Sequence, residues 1–240
     1  MNVAIIIPAY NEKDNILKLV VDISKRFSEI QILIVDDSLD DYISNKIKDL
    51  QNVKNIYRGR KLGRGSAVLE GLKYMARNSN IDVFVEMDAD YSHDPLELQK
   101  NLILYKENNY DLLISSRYLK DSKIINWPFS RRIFSFLANK LARVLLSVPI
   151  SDYTNGYRIY SRSAVKHITQ NCGRIGDGFI ILSEILVELY FNNFKIGETK
   201  STFVNRIRGE SSVNFNEIYK SLIGLFKIYK LKKKITKKIL

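Results

Sequence analysis

The sequence predicts an α/β fold in which a mostly parallel central sheet is flanked by helices. Three observations predict it. Short apolar runs of strand length alternate with segments of helical periodicity through the first half of the chain. Those runs stop at polar or acidic residues, as strands do where a parallel sheet opens toward a ligand. And 240 residues, 45% hydrophobic and 11% aromatic, suffice to enclose one sizeable core.

Residues 3–8 (Val-Ala-Ile-Ile-Ile-Pro) are apolar without alternation, the mark of a strand buried on both faces. Asn11 and Glu12 follow, then Ile16, Leu19, Val20 and Ile23 at helical spacing. Ile30–Val35 is a second strand, stopped by Asp36-Asp37-Ser38, and Asn55–Tyr57 a short third. After Gly63 and Gly65 a helix is expected from Ser66 to Arg77, with Val68, Leu69, Leu72 and Met75 inward. Ile81–Met87 is a fourth strand. Pro95 suits the first turn of the next helix, behind an Asp94 cap. Leu112–Ser116 is another strand, and strand–helix alternation implies parallel pairing through right-handed crossovers. The second half is less regular. Arg131–Val148 reads as a helix with Ile133, Phe136, Leu137, Leu141, Val144 and Leu145 on one face; Phe179–Tyr190 as another; Lys200–Phe203 as a strand; and Ile218–Ile239 as an amphipathic helix. The domain expectation is one main unit over 1–216 and a basic, membrane-surface helix over 217–240.

Charge narrows the function classes. The net charge is +12, and no acid follows Glu217, whereas Lys220, Lys227, Lys230, Lys232, Lys233, Lys234, Lys237 and Lys238 crowd the last helix. Anionic lipid, phosphorylated substrates or nucleic acid would each complement it, and so would plain solvation. Residues 129–150 interleave Phe129, Ile133, Phe134, Phe136 and Leu137 with Arg131, Arg132, Lys140 and Arg143. A packed helix with a basic outer face and a helix lying in a membrane interface remain equally open there; for the last helix the interface is expected. No stretch reaches the roughly 18–20 apolar residues that span a bilayer, and Met1 leads into a strand rather than a signal-peptide pattern. The single cysteine, Cys172, excludes an internal disulfide.

The chemistry concentrates at strand ends. Val83–Asp90 runs Val-Phe-Val-Glu-Met-Asp-Ala-Asp, so two carboxylates, Asp88 and Asp90, stand where an open sheet binds ligands. A hard divalent cation that bridges to substrate phosphates is the simplest use for them. Asp36 and Asp37 end a neighbouring strand, and converging acids of this kind can accept hydrogen bonds from a ribose or base; Asn11 by itself reads as a turn or cap residue. Arg60–Ser66 precedes a helix and is basic but has neither Walker nor dinucleotide glycine spacing, so an anion-favouring helix N-terminus and a flexible surface turn are equally fair readings of it. Arg117, Arg131 and Arg132 flank Trp127-Pro128, and arginine forks suit phosphate. His93 and His167, far apart in sequence, are left out of the chemistry. A nucleic-acid module would interleave aromatic and basic residues on a sheet or groove, whereas here acids line the strand ends, so nucleic acid is not expected as a partner.

Taken in order, the motifs Ile-Pro-Ala-Tyr-Asn-Glu (7–12), Val-Asp-Asp (35–37), Lys-Leu-Gly-Arg-Gly-Ser-Ala (61–67), Met-Asp-Ala-Asp-Tyr-Ser-His-Asp-Pro (87–95), Ser-Arg-Tyr (116–118), Asn-Trp-Pro-Phe-Ser-Arg-Arg (126–132), Asp-Tyr-Thr-Asn-Gly-Tyr-Arg (152–158) and Arg-Gly-Glu-Ser-Ser (208–212) cover nearly the whole chain. Together they resemble the GT-A-fold, Rossmann-like family 2 glycosyltransferases, most closely the dolichyl-phosphate mannose synthases. That resemblance implies an enzyme that transfers mannose, with inversion, from GDP-mannose to a polyprenyl (dolichyl) phosphate. It implies that Pro8, Tyr10, Glu12, Val35, Asp37, Ala89 and Arg206 surround the nucleotide sugar. Asp88 and Asp90 correspond to the ligands of Mg²⁺ or Mn²⁺, with Ser92 where many relatives carry a glutamine. Arg117, Arg131 and Ser135 fall where the lipid phosphate binds, which makes Asp90, Arg117 and Arg131 the expected catalytic set. Ser212 stands where the family has a lysine, with Arg208 nearby. The resemblance also implies a peripheral enzyme at the cytoplasmic face of a membrane with anionic lipid, in some relatives beside a small membrane-anchoring subunit. Within the family, UDP-glucose or a UDP-N-acetylhexosamine is the alternative donor, and another acceptor is the alternative to the polyprenyl phosphate.

Overall fold

A computed structural model describes residues 1–205 and 215–239. The elements run β1 (Val3–Ala9), α1 (Lys13–Arg26), β2 (Gln31–Asp36), α2 (Tyr42–Lys46), β3 (Val53–Tyr57), α3 (Arg64–Ala76), β4 (Val83–Glu86), α4 (Glu97–Glu107), β5 (Leu112–Ser116) and β6 (Lys123–Ile125). They continue with α5 (Phe129–Leu146), β7 (Arg158–Ser161), α6 (Arg162–Asn171), α7 (Ile180–Phe191), β8 (Ile196–Lys200), β9 (Thr202–Val204) and α8 (Phe215–Ile239). Seven strands form the central sheet in the order β3-β2-β1-β4-β7-β5-β8. All pairings are parallel except those of β7, which runs antiparallel to both β4 and β5. β6 and β9 form a separate parallel pair.

β1 explains why the sheet is buried on both faces. Its register sets Ile5 beside Ile32 on β2 and Val85 on β4. Ala4 and Ile6 enter one core with residues of α3, α6 and α7; Val3, Ile5 and Ile7 enter the other with Ile16, Leu19 and Leu98. Side chains alternate across a strand, so an unbroken apolar run feeds both cores at once. Helix α3 lies close on the sheet at Gly71, where a Cβ would sit 2.5 Å from Ile6 Cγ2.

The second half shows what local pattern missed. The expected strand 200–203 is two strands, β8 and β9, divided at Ser201, whose hydroxyl donates to Glu97 at 2.8 Å. β7 was not apparent in Arg-Ile-Tyr-Ser, because Arg158 is fully buried there and satisfied by the carbonyls of Tyr153, Asn155 and Leu182. α8 packs on α7 and α5 and buries Leu225 and Ile228 in the core. Its Lys232 ammonium donates to Ser147 Oγ at 2.7 Å, just past α5.

Candidate active site

β4 delivers a line of acids. Glu86, still inside the sheet and fully buried, accepts from the Tyr160 hydroxyl at 2.7 Å and pairs with Arg64 Nη1 at 2.6 Å. Two residues on, Asp88 Oδ1 accepts from Arg64 Nη2 at 2.6 Å and Nε at 3.0 Å, and Asp88 Oδ2 lies 3.2 Å from His93 Nε2. Burial opposes ionisation of Asp88, but the charge of Arg64 and the contact with His93 outweigh it and hold the carboxyl well below the usual range. Asp90 Oδ1 accepts from Ser92 twice, from the backbone N–H at 3.1 Å and from Oγ at 2.5 Å. Between them Tyr91 takes a left-handed conformation, φ +60°, that a bulky residue adopts at a cost of order 1–3 kcal/mol. Its hydroxyl donates to Asp22 at 2.5 Å, and burial together with that carboxylate pushes its pKa up to about 12.

The ends of β1 and β2 meet the basic loop before α3. Asp37, almost fully buried, accepts from Arg58 Nε at 2.5 Å and from the backbone N–H groups of Leu62 and Gly63 at 2.8 and 2.9 Å. The loop that brings Arg64 to Asp88 is therefore clamped by Asp37. Asp36 accepts from Ser38 N–H and Oγ, and Ser38 Oγ in turn accepts from the Asn11 N–H, with Asn11 at φ +56°. Asn11 is a turn residue, as its chemistry suggested. Tyr10 lies beneath the Lys61 ammonium, 4.6 Å from the ring centre. Glu12 Oε2 accepts from Asn15 at 2.8 Å, while Pro8, Val35 and Ala89 are buried wall positions.

On the other side of His93 lies a cationic, aromatic cluster. His93 packs against Phe203 (5.3 Å between ring centres), Phe203 against Trp127 (5.3 Å), and Trp127 carries Arg131 at 4.3 Å and Arg117 at 5.3 Å from its ring. Arg131 also donates to Asn205 Oδ1 at 3.2 Å. Arg117 is 8% exposed, and its fork is held by Asp152, with Nε and Nη2 each at 2.8 Å, and by Thr154 at 2.6 Å. Burial works against the Asp152 charge, but Arg117 beside it keeps that carboxyl below its ordinary value. Ser135 is half-buried on α5, its carbonyl accepting from Asn139.

Three of the expected residues, Asp37, Asp88 and Arg131, are joined by one series of contacts: Asp37 holds the backbone of Leu62 and Gly63, Arg64 meets Asp88, Asp88 meets His93, and His93 leads through Phe203 and Trp127 to Arg131; Asp90 with Ser92, Tyr10, Glu12 and Ser135 make their contacts outside it. Arg206, Arg208 and Ser212 lie outside the described residues. Four participants escaped the sequence reading. His93 was set aside because spacing offered it no partner, yet it is fully buried against Asp88. Glu86 looked like part of a strand. Arg64 looked like part of an anion loop. Asp152 opens one of the quoted motifs but had no role there, because its partner Arg117 is 35 residues away.

The residues that could hold a divalent cation are Asp88, whose Oδ1 is taken by Arg64 and whose Oδ2 faces His93, and Asp90. Asp88 and Asp90 offer hard oxygen ligands, and Ser92 reaches the site by aiming Asp90. Among the described residues no group of three or more His, Cys, Asp or Glu side chains could hold a metal. A two-carboxylate set suits Mg²⁺ or Mn²⁺, which take their remaining ligands from water and substrate phosphates.

The family model described as glycosyl transferase family 2 matches residues 4–169. A dolichol-phosphate mannosyltransferase of Pyrococcus furiosus is 35% identical over 96% of this chain, which spans 64% of that relative's length. A polyprenol monophosphomannose synthase of Mycolicibacterium smegmatis is 33% identical over 91% of this chain and 83% of its own. Among solved structures, glucosyl-3-phosphoglycerate synthase of Mycobacterium tuberculosis superposes with a TM-score of 0.67 at 16% identity, covering 95% of this chain and 80% of that one. A complex of the same synthase with Mn²⁺, UDP-glucose and phosphoglyceric acid gives 0.65 at 17% identity, with the same coverage. At that identity the likeness is one of fold.

Proposed function

The chain belongs to glycosyl transferase family 2, and from that premise we propose that it moves a mannosyl group from GDP-mannose to a polyprenyl phosphate, with inversion, at a membrane surface. The observation that carries this is the unbroken series of contacts from Asp37 to Arg131, which sets an acidic strand end beside an arginine–tryptophan cluster. One half suits a nucleotide sugar whose diphosphate needs charge neutralised; the other suits a phosphate monoester.

A Mg²⁺ or Mn²⁺ ion bound through Asp88 and Asp90 would supply Lewis-acid neutralisation of the departing diphosphate. The chain's own residues do the rest. Ser92 fixes the direction of Asp90, and Tyr91, tied to Asp22, fixes the turn that presents it. Tyr10, Glu12 and Asp37 form the nucleotide side, with Asp37 acting through the loop it clamps. The acceptor needs no protein base: a phosphate monoester loses its second proton near pH 6 and is largely dianionic at neutral pH. Arg131, propped on Trp127, orients that phosphate, Ser135 lies one turn along the same helix, and Arg117 braces the cluster from behind.

The lipid accounts for the surface. α5 buries only Asn139, Ala142 and Leu146, and turns Phe129 (78% exposed), Phe134, Phe136, Leu137 and Val144 (70% exposed) outward. α8 adds Leu222, Ile223 and Phe226, with exposed Lys227, Lys230, Lys233 and Lys234 alongside. An apolar face edged with lysines suits the boundary of an anionic bilayer. Among the described residues no helix is long and apolar enough to cross one.

The test is a transfer assay with radiolabelled GDP-mannose, UDP-glucose and UDP-N-acetylglucosamine against a phosphorylated polyprenol, with Mn²⁺ or a chelator. Label should pass to lipid from GDP-mannose alone and stop with the chelator. Transfer from a UDP-sugar instead would overturn the donor, and no lipid product from any donor would overturn the acceptor.

A further inference from the structure

The acidic strand end already holds a cation of its own. Arg64, at the first turn of α3, has a side chain only 12% exposed. Its guanidinium is shared between Glu86 and Asp88, at 2.6 Å each, and it lies 5.2 Å from the Phe179 ring centre. Gly156 leaves the space it fills: a Cβ there would collide with Arg64 Nη2 and stand 2.9 Å from Asp88 Oδ1. The backbone enforces the placement, with Asp37 gripping Leu62 and Gly63 on one side and the Asp177 carbonyl accepting from Gly65 at 2.6 Å on the other.

We propose that Arg64 is a resident counter-cation that keeps a divalent metal from binding tightly to Asp88 and Asp90 until a nucleoside diphosphate arrives, so that metal and donor load together. The proposal rests on the reading of those two aspartates as cation ligands. Asp88 Oδ1 receives two N–H groups from Arg64, so a metal ligated by the same oxygen stands within a few ångströms of a fixed positive charge in a poorly solvated place. Like charges at that range repel strongly. Without Arg64, however, Glu86 would lose its counter-charge and Asp88 would keep only His93 in the empty site, which burial makes costly. A diphosphate changes the balance. Its oxygens supply ligands to the metal and acceptors to the guanidinium, so both cations can stay.

The distinguishing quantity is Mn²⁺ affinity in the absence of nucleotide, a readout separate from turnover. Full-length chain is titrated with Mn²⁺ and free ion followed by its electron paramagnetic resonance signal, with and without GDP. The chain should bind Mn²⁺ weakly alone and about tenfold or more tightly with GDP. Arg64→Gln should bind Mn²⁺ alone about tenfold or more tightly than the parent, with a smaller GDP effect, whereas Arg64→Lys, which keeps a charge, should stay near the parent. Should Arg64→Gln fail to fold, as judged by circular dichroism, Arg64→Gln with Glu86→Gln removes the orphaned buried acid and takes its place. A folded variant lacking Arg64 that binds Mn²⁺ no more tightly than the parent overturns the proposal. Absence of Mn²⁺ binding in every chain, with or without GDP, overturns instead the metal reading on which it stands.

Discussion

Gly156 carries the sharpest consequence at the scale of single residues. Alanine there must displace the Arg64 fork or the Asp88 carboxylate, and so disturb the pairs Arg64 makes with Glu86 and Asp88. Gly156→Ala should lower stability by about 1–3 kcal/mol, the ordinary range for forcing an extra carbon into a packed site, and reduce transfer far more than thermal stability alone explains. Thermal melts and rates on one preparation check both, and an unchanged rate would sink the packing argument. Asp90→Ala should reduce metal-dependent transfer by about a hundredfold or more, the scale of losing one stabiliser of developing charge, because it removes a ligand of the cation that would neutralise the departing diphosphate. Arg131→Ala should instead raise the acceptor KM with a smaller change in kcat, since it orients rather than neutralises. Residual activity of Asp90→Ala insensitive to a chelator would refute the metal assignment. Asp37, Asp88 and Asp90 could be read from the sequence because each follows an apolar run. Arg64, His93 and Asp152 could not, since their roles come from partners that only the folded sheet brings near.

Elements with one strong period were legible, and elements that depend on tertiary partners were not. The Leu112–Ser116 strand and the helices around 16–23, 66–77 and 180–190 fall where apolar spacing put them. β7 is stabilised by a buried arginine and α6 opens on a Ser161 side chain that caps the Ala164 N–H, features no hydrophobic period reports. α5 is instructive in the other direction. Its apolar face was visible, but whether it met a core or a membrane depended on what lay opposite. The fold leaves that face open, Phe136 being 52% exposed and Leu137 55%. Phe136→Glu with Phe226→Glu should therefore weaken cosedimentation with phosphatidylglycerol vesicles while leaving the melting temperature nearly unchanged. Substitution suits this test better than removing α8, because Leu225 and Ile228 belong to the core. A large loss of thermal stability would show that the face packs within the protein, and undiminished vesicle binding would remove α5 and α8 from the membrane contact.

For the whole molecule, the same ion pairs that organise the site set the response to acid. Asp88 and Asp152 are both held below their ordinary pKa because, despite burial, Arg64 and Arg117 favour the charged form. In the unfolded chain each returns to about 3.9. The unfolded state therefore binds more protons than the fold once pH drops toward that value, and the stability these groups supply, complete above it, drains away as pH falls further. Asp36 and Glu184 act with opposite sign: burial raises both, so they protonate in the fold first and soften the loss slightly from above. With 38 basic residues against 26 acidic, acidification also adds self-repulsion to a chain already at +12. Asp152→Asn separates the pair from this background. It leaves Arg117 buried without its counter-charge, so stability at pH 7 should fall by about 3–5 kcal/mol. Between pH 5 and 3, however, its melting temperature should decline less steeply than the parent's, because one proton uptake coupled to unfolding is gone. Melting curves across that range decide it. Parallel slopes would mean that Asp152 is not held ionised by Arg117, and the brace behind the arginine–tryptophan cluster would have to come from packing alone.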